Sequence, residues 1–322
     1  MQKKIDFAIM LIRNAAEIAE ANGSELEVCY SGGKDSDVIL HLAQRAGVKF
    51  DAIYKNTTID PPGTIAHALK KGVRMVRPTK TFAQLIRQKG MPSRFRRHCC
   101  EVLKEYKIHG YAIVGVRRAE SSKRAARYQE PEVCRKFSAK EKVKQYFPIL
   151  EWTDEEVEQY IKDNGIQCHP LYYDGQGNFH VERRLGCMCC PLASRKNRTE
   201  EFRKHPGMIG FYVKNAQTYL NTHPQSKING MFNNAEEWLA FTLLCDNLEQ
   251  WRQKTDPDLF GERFDAKKYL ETIKAFASQS SQDGLGVAPM PTSRLRDLLR
   301  KYKTTTKQYN YEKANIVNRQ AD

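Results

Sequence analysis

The chain reads as an α/β protein with a doubly wound, mostly parallel sheet, continued by an α-helical region. Three observations predict this. Short apolar runs alternate with stretches of helical spacing up to about residue 170. The first clear strand passes through a glycine-rich turn directly into a helix pattern. Beyond about residue 195 no strong strand pattern occurs and the spacing is helical. The expected division is an α/β unit over 1–195 and a helical region over 196–322.

Ile5 to Asn22 has helical spacing, with Phe7, Met10, Leu11, Ala15, Ile18 and Ala19 on one side and Gly23 as a stop. Leu26 to Tyr30 is a short apolar run that reads as a buried strand. Ser31-Gly32-Gly33-Lys34-Asp35-Ser36 follows, and Asp37 to Ala43 continues as a helix that stops near Gly47. Phe50 to Tyr54 is the second strand. Lys55 to Pro62 leaves its C-terminal end, the edge where loops of open sheets line a ligand crevice. Pro61 and Pro62 favour a helix from near Gly63 to about Lys71. Val73 to Val76 and Tyr111 to Val116 read as strands, and Phe82 to Gln88 as a helix. Residues 119–142 are highly charged and read as a loop, and Val143 to Leu150 as an edge strand. Thr153-Asp154-Glu155-Glu156 matches a capping box, with the helix running to Gly165. Later helices are expected at 211–220, 236–251, 266–276 and 294–302, with a linker at 278–291 and a loosely held tail from Lys303.

The 322 residues carry 53 Lys and Arg against 38 Asp and Glu, a formal charge of +15. Such an excess favours polyanionic partners, nucleotides or nucleic acid. Mean hydropathy is −0.66 and no apolar run is long enough to span a bilayer. The N-terminal residues lack a signal-type apolar core, so a cytoplasmic protein without a membrane partner is expected. The nine cysteines are partly clustered, which points to metal binding rather than disulfides.

The chemistry starts at Ser31 to Ser36. Two glycines let the main chain approach a ligand closely. Free N–H groups and the helix dipole favour an anion there. Lys34 adds a positive charge, and Ser31 and Ser36 add hydroxyls. The site suits a phosphate or pyrophosphate, yet the pattern is not the Walker one. Arg117, Arg118 and Arg124 follow the strand end at Gly115, where guanidinium groups suit phosphate oxygens and Glu120 would orient one of them. Asp35 and Asp60 are candidate Mg²⁺ carboxylates, and Asp35 is equally placed to cap the helix. Cys99-Cys100 forms an adjacent pair, and Cys187 and Cys190 a second pair at Cys-x2-Cys spacing. An adjacent pair is awkward for one zinc ion but suits two irons of one cubane, so a [4Fe–4S] cluster is expected. Cys189 reads as an alternative ligand, a sulfur carrier or a buried thiol, and Cys168 is a further candidate. Cys29, Cys134 and Cys245 read as small apolar fillers. His98 and His169 read as structural histidines before acid–base groups, and Trp152 as core.

The hexapeptide at Ser31 resembles the PP-loop of the ATP pyrophosphatases, which split ATP into AMP and pyrophosphate. The two cysteine pairs are similar to the cluster signature of the assimilatory adenylylsulfate reductases. Gly115-Val116-Arg117-Arg118-Ala119-Glu120-Ser121-Ser122-Lys123-Arg124 resembles the Gly-x-Arg-x-x-Glu-Ser-x-x-Arg of that family. Phe147 to Thr153, His169-Pro170-Leu171-Tyr172 and Arg184-Leu185-Gly186-Cys187 resemble its following segment. The likeness spans about residues 24–195. It implies an adenine nucleotide alpha hydrolase-like fold, with Lys34, Asp35 and Arg117 as catalytic groups. It also implies Ser31, Gly32, Gly33, Ser36, Asp60, Gly115 and Glu120 around ATP and Mg²⁺, and Cys99, Cys100, Cys187 and Cys190 on the cluster.

One departure shapes the functional expectation. Reductases of this kind carry a nucleophilic cysteine in a Glu-Cys-Gly-Ile/Leu-His motif near the C-terminus, and no cysteine follows Cys245 here. A nucleotide site with a cluster then looks like the DNA phosphorothioation proteins of the Dnd and Ssp systems. That likeness implies a DNA or RNA acceptor and a cysteine desulfurase partner. The alternatives are a sulfonucleotide reductase with a displaced nucleophile, Cys189 or Cys168, a tRNA thiolase, and a non-catalytic nucleotide- or DNA-binding subunit with a structural cluster.

Overall fold

A computed structural model describes residues 1–136, 142–256 and 263–280, with side chains up to residue 275. The helix expected at 294–302 and the tail from Lys303 lie outside the described residues. So does the 278–291 linker, apart from its first three residues, which close a helix.

Helix α1 (Gln2–Ala21) precedes the first strand and buries Ile5, Ala8, Leu11, Ile12, Ala15 and Ala19. Phe7 and Met10, expected on that face, are exposed instead. The inner stripe follows Ile5, Ala8 and Ile12 at three- and four-residue steps, which places Phe7 and Met10 on the outer side. Strand β1 (Leu26–Tyr30) leads through the glycine turn into α2 (Lys34–Ala46), which ends at Gly47 with φ +69°. Strand β2 (Asp51–Lys55), α3 (Thr64–Lys70), β3 (Arg74–Val76), α4 (Phe82–Lys89), α5 (His98–Leu103) and β4 (Tyr111–Val114) follow.

The described strands form one sheet of order β3-β2-β1-β4-β6-β5. It is parallel except for β5 (Glu132–Lys136), which pairs antiparallel with β6 (Lys142–Tyr146) at the edge. The expected α/β architecture with a mostly parallel sheet is therefore present. Two local expectations are corrected. The charged stretch 119–142 is not all loop: it holds α6 (Ser122–Arg127) and β5. Strand β6 is internal rather than at the edge, because β5 covers it. The Glu132 to Lys136 run holds three charged residues and leaves Val133 and Cys134 exposed, so it shows no buried apolar stripe, as an edge strand in contact with water can.

One sheet face presents Leu26, Val28, Tyr30, Ala52 and Tyr54 to a core shared with α1, α2 and α7 (Asp154–Asp163). Helix α7 starts at the predicted capping box, in which Thr153 accepts from the Glu156 N–H. A second core joins α4 and α5 to the C-terminal helices: α8 (Arg195–Lys204), α9 (Gly207–Thr222), α10 (Ala235–Leu244), α11 (Leu248–Thr255) and α12 (Ala266–Ser280). The single helix expected over 236–251 is two. The chain extends at Cys245 and Asn247, and the Asn247 side chain caps α11 by accepting from the Gln250 N–H. Among the described residues no helix is long and apolar enough to cross a membrane.

Candidate functional site

Strand β1 is flanked by β2 on one side and β4 on the other, so the chain reverses direction across the sheet there. The turns after β1 and β4 face each other at this switch point, where open α/β sheets place ligands. Gly115, just past β4, approaches so closely that a Cβ on it would lie 3.0 Å from the Asp35 carbonyl oxygen. Gly32 has φ +81°, and a Cβ there would meet the Thr64 methyl at 2.8 Å. Both glycines are thus required by close approach, and Gly32 by its torsion as well.

The loop is internally organised. The Ser36 hydroxyl donates to the Gly33 carbonyl at 2.6 Å, and the Ser31 hydroxyl lies 3.3 Å from that of Ser36. Gly33 is the N-cap of α2, so Asp35 does not cap the helix. Asp35 instead accepts from Arg117 Nε at 2.6 Å and lies 3.4 Å from Lys34 Nζ. Lys34 is buried, with its ammonium over the Tyr172 ring at 5.6 Å.

Arg117 is fully buried. Its guanidinium also donates to the Trp152 carbonyl at 3.2 Å and to Asp154 at 2.6 Å. It therefore orients Asp35 and ties the site to the start of α7. Glu120 accepts from the Arg117 N–H and pairs with Arg124 and, at 3.0 Å, with Arg184. Burial and the neighbouring Arg184 charge lower the Arg124 pKa. Two guanidinium groups are thus gathered on one carboxylate beside the loop. Arg118 turns away to the carbonyls of Tyr128 and Gln129. Asp60 Oδ2 accepts from the Tyr54 hydroxyl at 2.5 Å and the Thr57 N–H at 2.8 Å. Burial and Asp60 push the Tyr54 hydroxyl well above its ordinary pKa. Both Asp35 oxygens and one Asp60 oxygen already serve internal partners.

Beneath the loop, buried Asp37 accepts from the Tyr30 hydroxyl at 2.6 Å and lies 3.0 Å from His67 Nε2. His169 is fully buried with Nε2 3.4 Å from the Thr64 hydroxyl, and burial, then His67, lower its pKa to about 4. It is structural, as the sequence suggests, and Trp152 is core.

The cysteines converge from helix α5, which carries Cys99 and Cys100, and from the loop that carries Cys187 and Cys190. Lys104 donates to Cys187 and faces Cys100. Burial pushes its ammonium down, but Cys187, Asp60 and Cys100 more than offset that and leave its pKa raised. Cys99 donates to Cys100, which draws the Cys100 thiol below its ordinary value against burial, helped by Arg97 Nη2 at 3.8 Å. The same bond, with burial, pushes Cys99 up, and Cys190 and Cys187 lie close enough to add to it. Four thiols and two cations therefore share one neighbourhood. Among the described residues no three of these sulfurs lie within 4.8 Å of one another. A single tetrahedral ion with metal–sulfur bonds of about 2.3 Å would need them closer. The donor set fits a cluster with several irons better than one ion.

Cys189 stands apart from this group. Its side chain is fully buried in the second core, its φ is +50°, and burial followed by Glu201 raises its pKa. Cys168 is buried beside Asp37, and burial and that carboxylate raise its pKa too. Cys245 is a buried filler as expected, whereas Cys134 lies exposed on β5, and Cys29 is half-buried and donates to Glu27.

The two centres adjoin. Leu185 lies 3.1 Å from where a Gly32 Cβ would be, and its N–H donates to the Tyr172 hydroxyl at 3.3 Å. Cys187 is two residues on, within about 7 Å of chain reach. The Cys187 thiol also lies 3.6 Å from the Thr57 hydroxyl, and the Met188 N–H donates to the Ile59 carbonyl at 2.8 Å. The loop after β2 thus carries the cysteine loop on one side and, through Thr64, touches the glycine turn on the other. Residue-by-residue reading of the sequence missed Asp154, Tyr172, Arg184 and Lys104 as parts of the site. The family-like motifs His169-Pro170-Leu171-Tyr172 and Arg184-Leu185-Gly186-Cys187 signalled two of them, Tyr172 and Arg184.

An uncharacterized protein of Methanocaldococcus jannaschii is 29% identical over 200 residues, 58% of this chain and 46% of that protein. The chain thus spans about half the length of that relative. An adenosine 5'-phosphosulfate reductase of Streptomyces coelicolor is 28% identical over 176 residues, 50% of this chain and 70% of that enzyme. A crystal structure of phosphoadenylyl-sulfate reductase from Candida auris, in complex with phosphate, aligns at 16% identity with a TM-score of 0.36, covering 56% of this chain and 96% of that one. Residues 25–193, just over half of the chain, match the profile of the phosphoadenosine phosphosulfate reductase domain, and the chain belongs to that family.

Proposed function

We propose that the protein is an ATP pyrophosphatase that activates a phosphate for sulfur transfer, with DNA as the favoured acceptor. The observation that carries this reading is the adjacency of the Gly32 turn and the cysteine group, joined by Leu185 and the loop after β2. In the proposed step an acceptor phosphate oxygen attacks the α-phosphorus of ATP. The α–β bond breaks and pyrophosphate leaves. Persulfide sulfur from a desulfurase, released as sulfide by a thiol reductant that is itself oxidised to a disulfide, then attacks the adenylylated acceptor phosphorus and expels AMP, which carries away the displaced oxygen. Lys34 would neutralise charge on the departing pyrophosphate. Arg117 holds Asp35 in place, and Arg124 and Arg184 offer guanidinium groups to the phosphates. Mg²⁺ would enter with the nucleotide's own phosphates. Cys99, Cys100, Cys187 and Cys190 would hold a [4Fe–4S] cluster, which supplies a sulfur-rich redox centre. Arg97 and Lys104 would offset the charge of its thiolates.

A second reading is sulfonucleotide reduction, favoured by the likeness to the Streptomyces coelicolor enzyme. That chemistry needs an accessible thiolate. Cys189 and Cys168 are buried with raised pKa values, and Cys245 is buried at the end of α10, which weighs against it.

The deciding experiment is anaerobic purification with iron and sulfide analysis, followed by two assays. ATP with single- and double-stranded DNA is expected to give AMP and pyrophosphate, lost in Lys34→Ala. Sulfite release from adenylylsulfate with thioredoxin, without AMP formation from ATP, would overturn the proposal and select the reductase.

A further inference from the structure

A cleft of about 750 Å³ opens next to the start of α5, which carries Cys99 and Cys100, between the end of α4, α5, the end of α6 and β5. Lys89, Arg96, Arg97, Arg127, Arg135 and Lys136 line it, against two carboxylates, Glu101 and Glu105. Glu105 is already shared by Arg135 at 2.9 Å and Arg97 at 3.9 Å. Among the described residues no carboxylate pairs with Lys89, Arg96 or Arg127. Four separate elements therefore converge like charges on one concave surface. Such a surface attracts a polyanion and concentrates it at the wall.

Phe95 adds a second, independent feature. Its ring is 87% exposed on the cleft wall between Arg94 and Arg96. An aromatic ring left in water among cations has little to gain from the fold. It gains by stacking on the face of a base, and only an unpaired base offers that face. Arg97 connects the cleft to the chemistry, since the guanidinium that lines it lies 3.8 Å from the Cys100 sulfur.

We propose that this cleft binds the backbone of an unpaired nucleic-acid strand, with a base stacked on Phe95, and leads the strand to the cysteine pair. The placement of the strand rests on the sulfur-transfer reading above, whereas the binding itself does not.

The test uses the full chain, purified anaerobically, with fluorescent 20-nucleotide DNA and RNA single strands, the matching duplexes and heparin. Arg96→Ala and Arg127→Ala are each expected to weaken single-strand binding about tenfold and to flatten its salt dependence by about one ion. Phe95→Ala is expected to weaken single strands about tenfold, leave the salt slope and heparin binding unchanged, and be rescued by Phe95→Trp. Unchanged urea midpoints keep these losses from being unfolding. Single-strand binding that ignores all three residues overturns the proposal, as does a Phe95 effect equal on duplex and heparin. Preference between DNA and RNA identifies the strand. Strand binding as expected with no AMP from ATP leaves the cleft standing and removes the sulfur-transfer reading. AMP formation with strand binding insensitive to the cleft residues does the reverse.

Discussion

Gly32 and Gly47 share a left-handed torsion but differ in surroundings. Gly32 has the Thr64 methyl 2.8 Å from a notional Cβ, whereas Gly47 has nothing within 4 Å. Gly47→Ala is therefore expected to cost only the torsional strain, about 1 kcal/mol, with nucleotide binding intact. Gly32→Ala adds a clash with α3 and moves the turn, so it should abolish binding of a non-hydrolysable ATP analogue as well as lower stability. Calorimetric titration and denaturant melts of the two variants separate these effects.

His169 makes a second residue-scale prediction. Its folded pKa, about 4, lies below the ordinary 6.5, because burial and then His67 oppose its charge. Between those values the unfolded chain binds the extra proton. Stability is then complete above pH 6.5 and falls as pH drops toward 4, with a slope of up to about 1.4 kcal/mol per pH unit from this group. Urea melts of wild type and His169→Gln from pH 7 to 4.5 should show a shallower acid loss in the variant. Equal slopes would mean that His169 is not held neutral.

At the scale of the element, α7 does more than cover the sheet. Its capping box fixes Thr153 and Glu156, and the residue between cap and first turn, Asp154, takes an Arg117 guanidinium nitrogen. Thr153→Ala removes the side-chain acceptor and should cost about 1 kcal/mol. Since the helix start also positions Arg117, the variant should lose affinity for the ATP analogue beyond what its stability loss explains. Glu158→Gln, a surface change further along α7, serves as the control.

The described residues pack into two main cores, and the second of them crosses the expected boundary at residue 195. Phe82, Leu85, Ile86, Cys99 and Leu103 bury against Tyr212, Trp238, Leu239 and Leu243 from the C-terminal helices. Phe82 stands edge-on to Tyr212 at 5.7 Å, and Gly90 is pressed against the Trp238 ring. Residues 1–195 expressed alone would expose that face of α4 and α5. They should bind a hydrophobic dye and associate, whereas the full chain should do neither. A monomeric, dye-negative fragment would show that the second core is dispensable.

Much of this was legible in the amino-acid order because it is local. Strand β1, the turn at Ser31, the stop at Gly47 and the cap at Thr153 are each set by neighbours within a few residues, through torsion, period or a side-chain cap. The two cysteine pairs were visible for the same reason. The β5 edge strand and the break at Cys245 were not, since the first depends on pairing with β6 and the second on a cap whose benefit appears only once α10 is packed. The choice of roles at the site was also beyond local reading. Arg117, 82 residues from Asp35, could be read from its type as a phosphate ligand. Only the folded chain buries it between Asp35 and Asp154, because an arginine fork taken out of water must find carboxylates to offset its charge. The sequence determined the fold class and the chemistry available. The tertiary structure decided which groups meet, since meeting depends on distances that the sheet and the two cores impose.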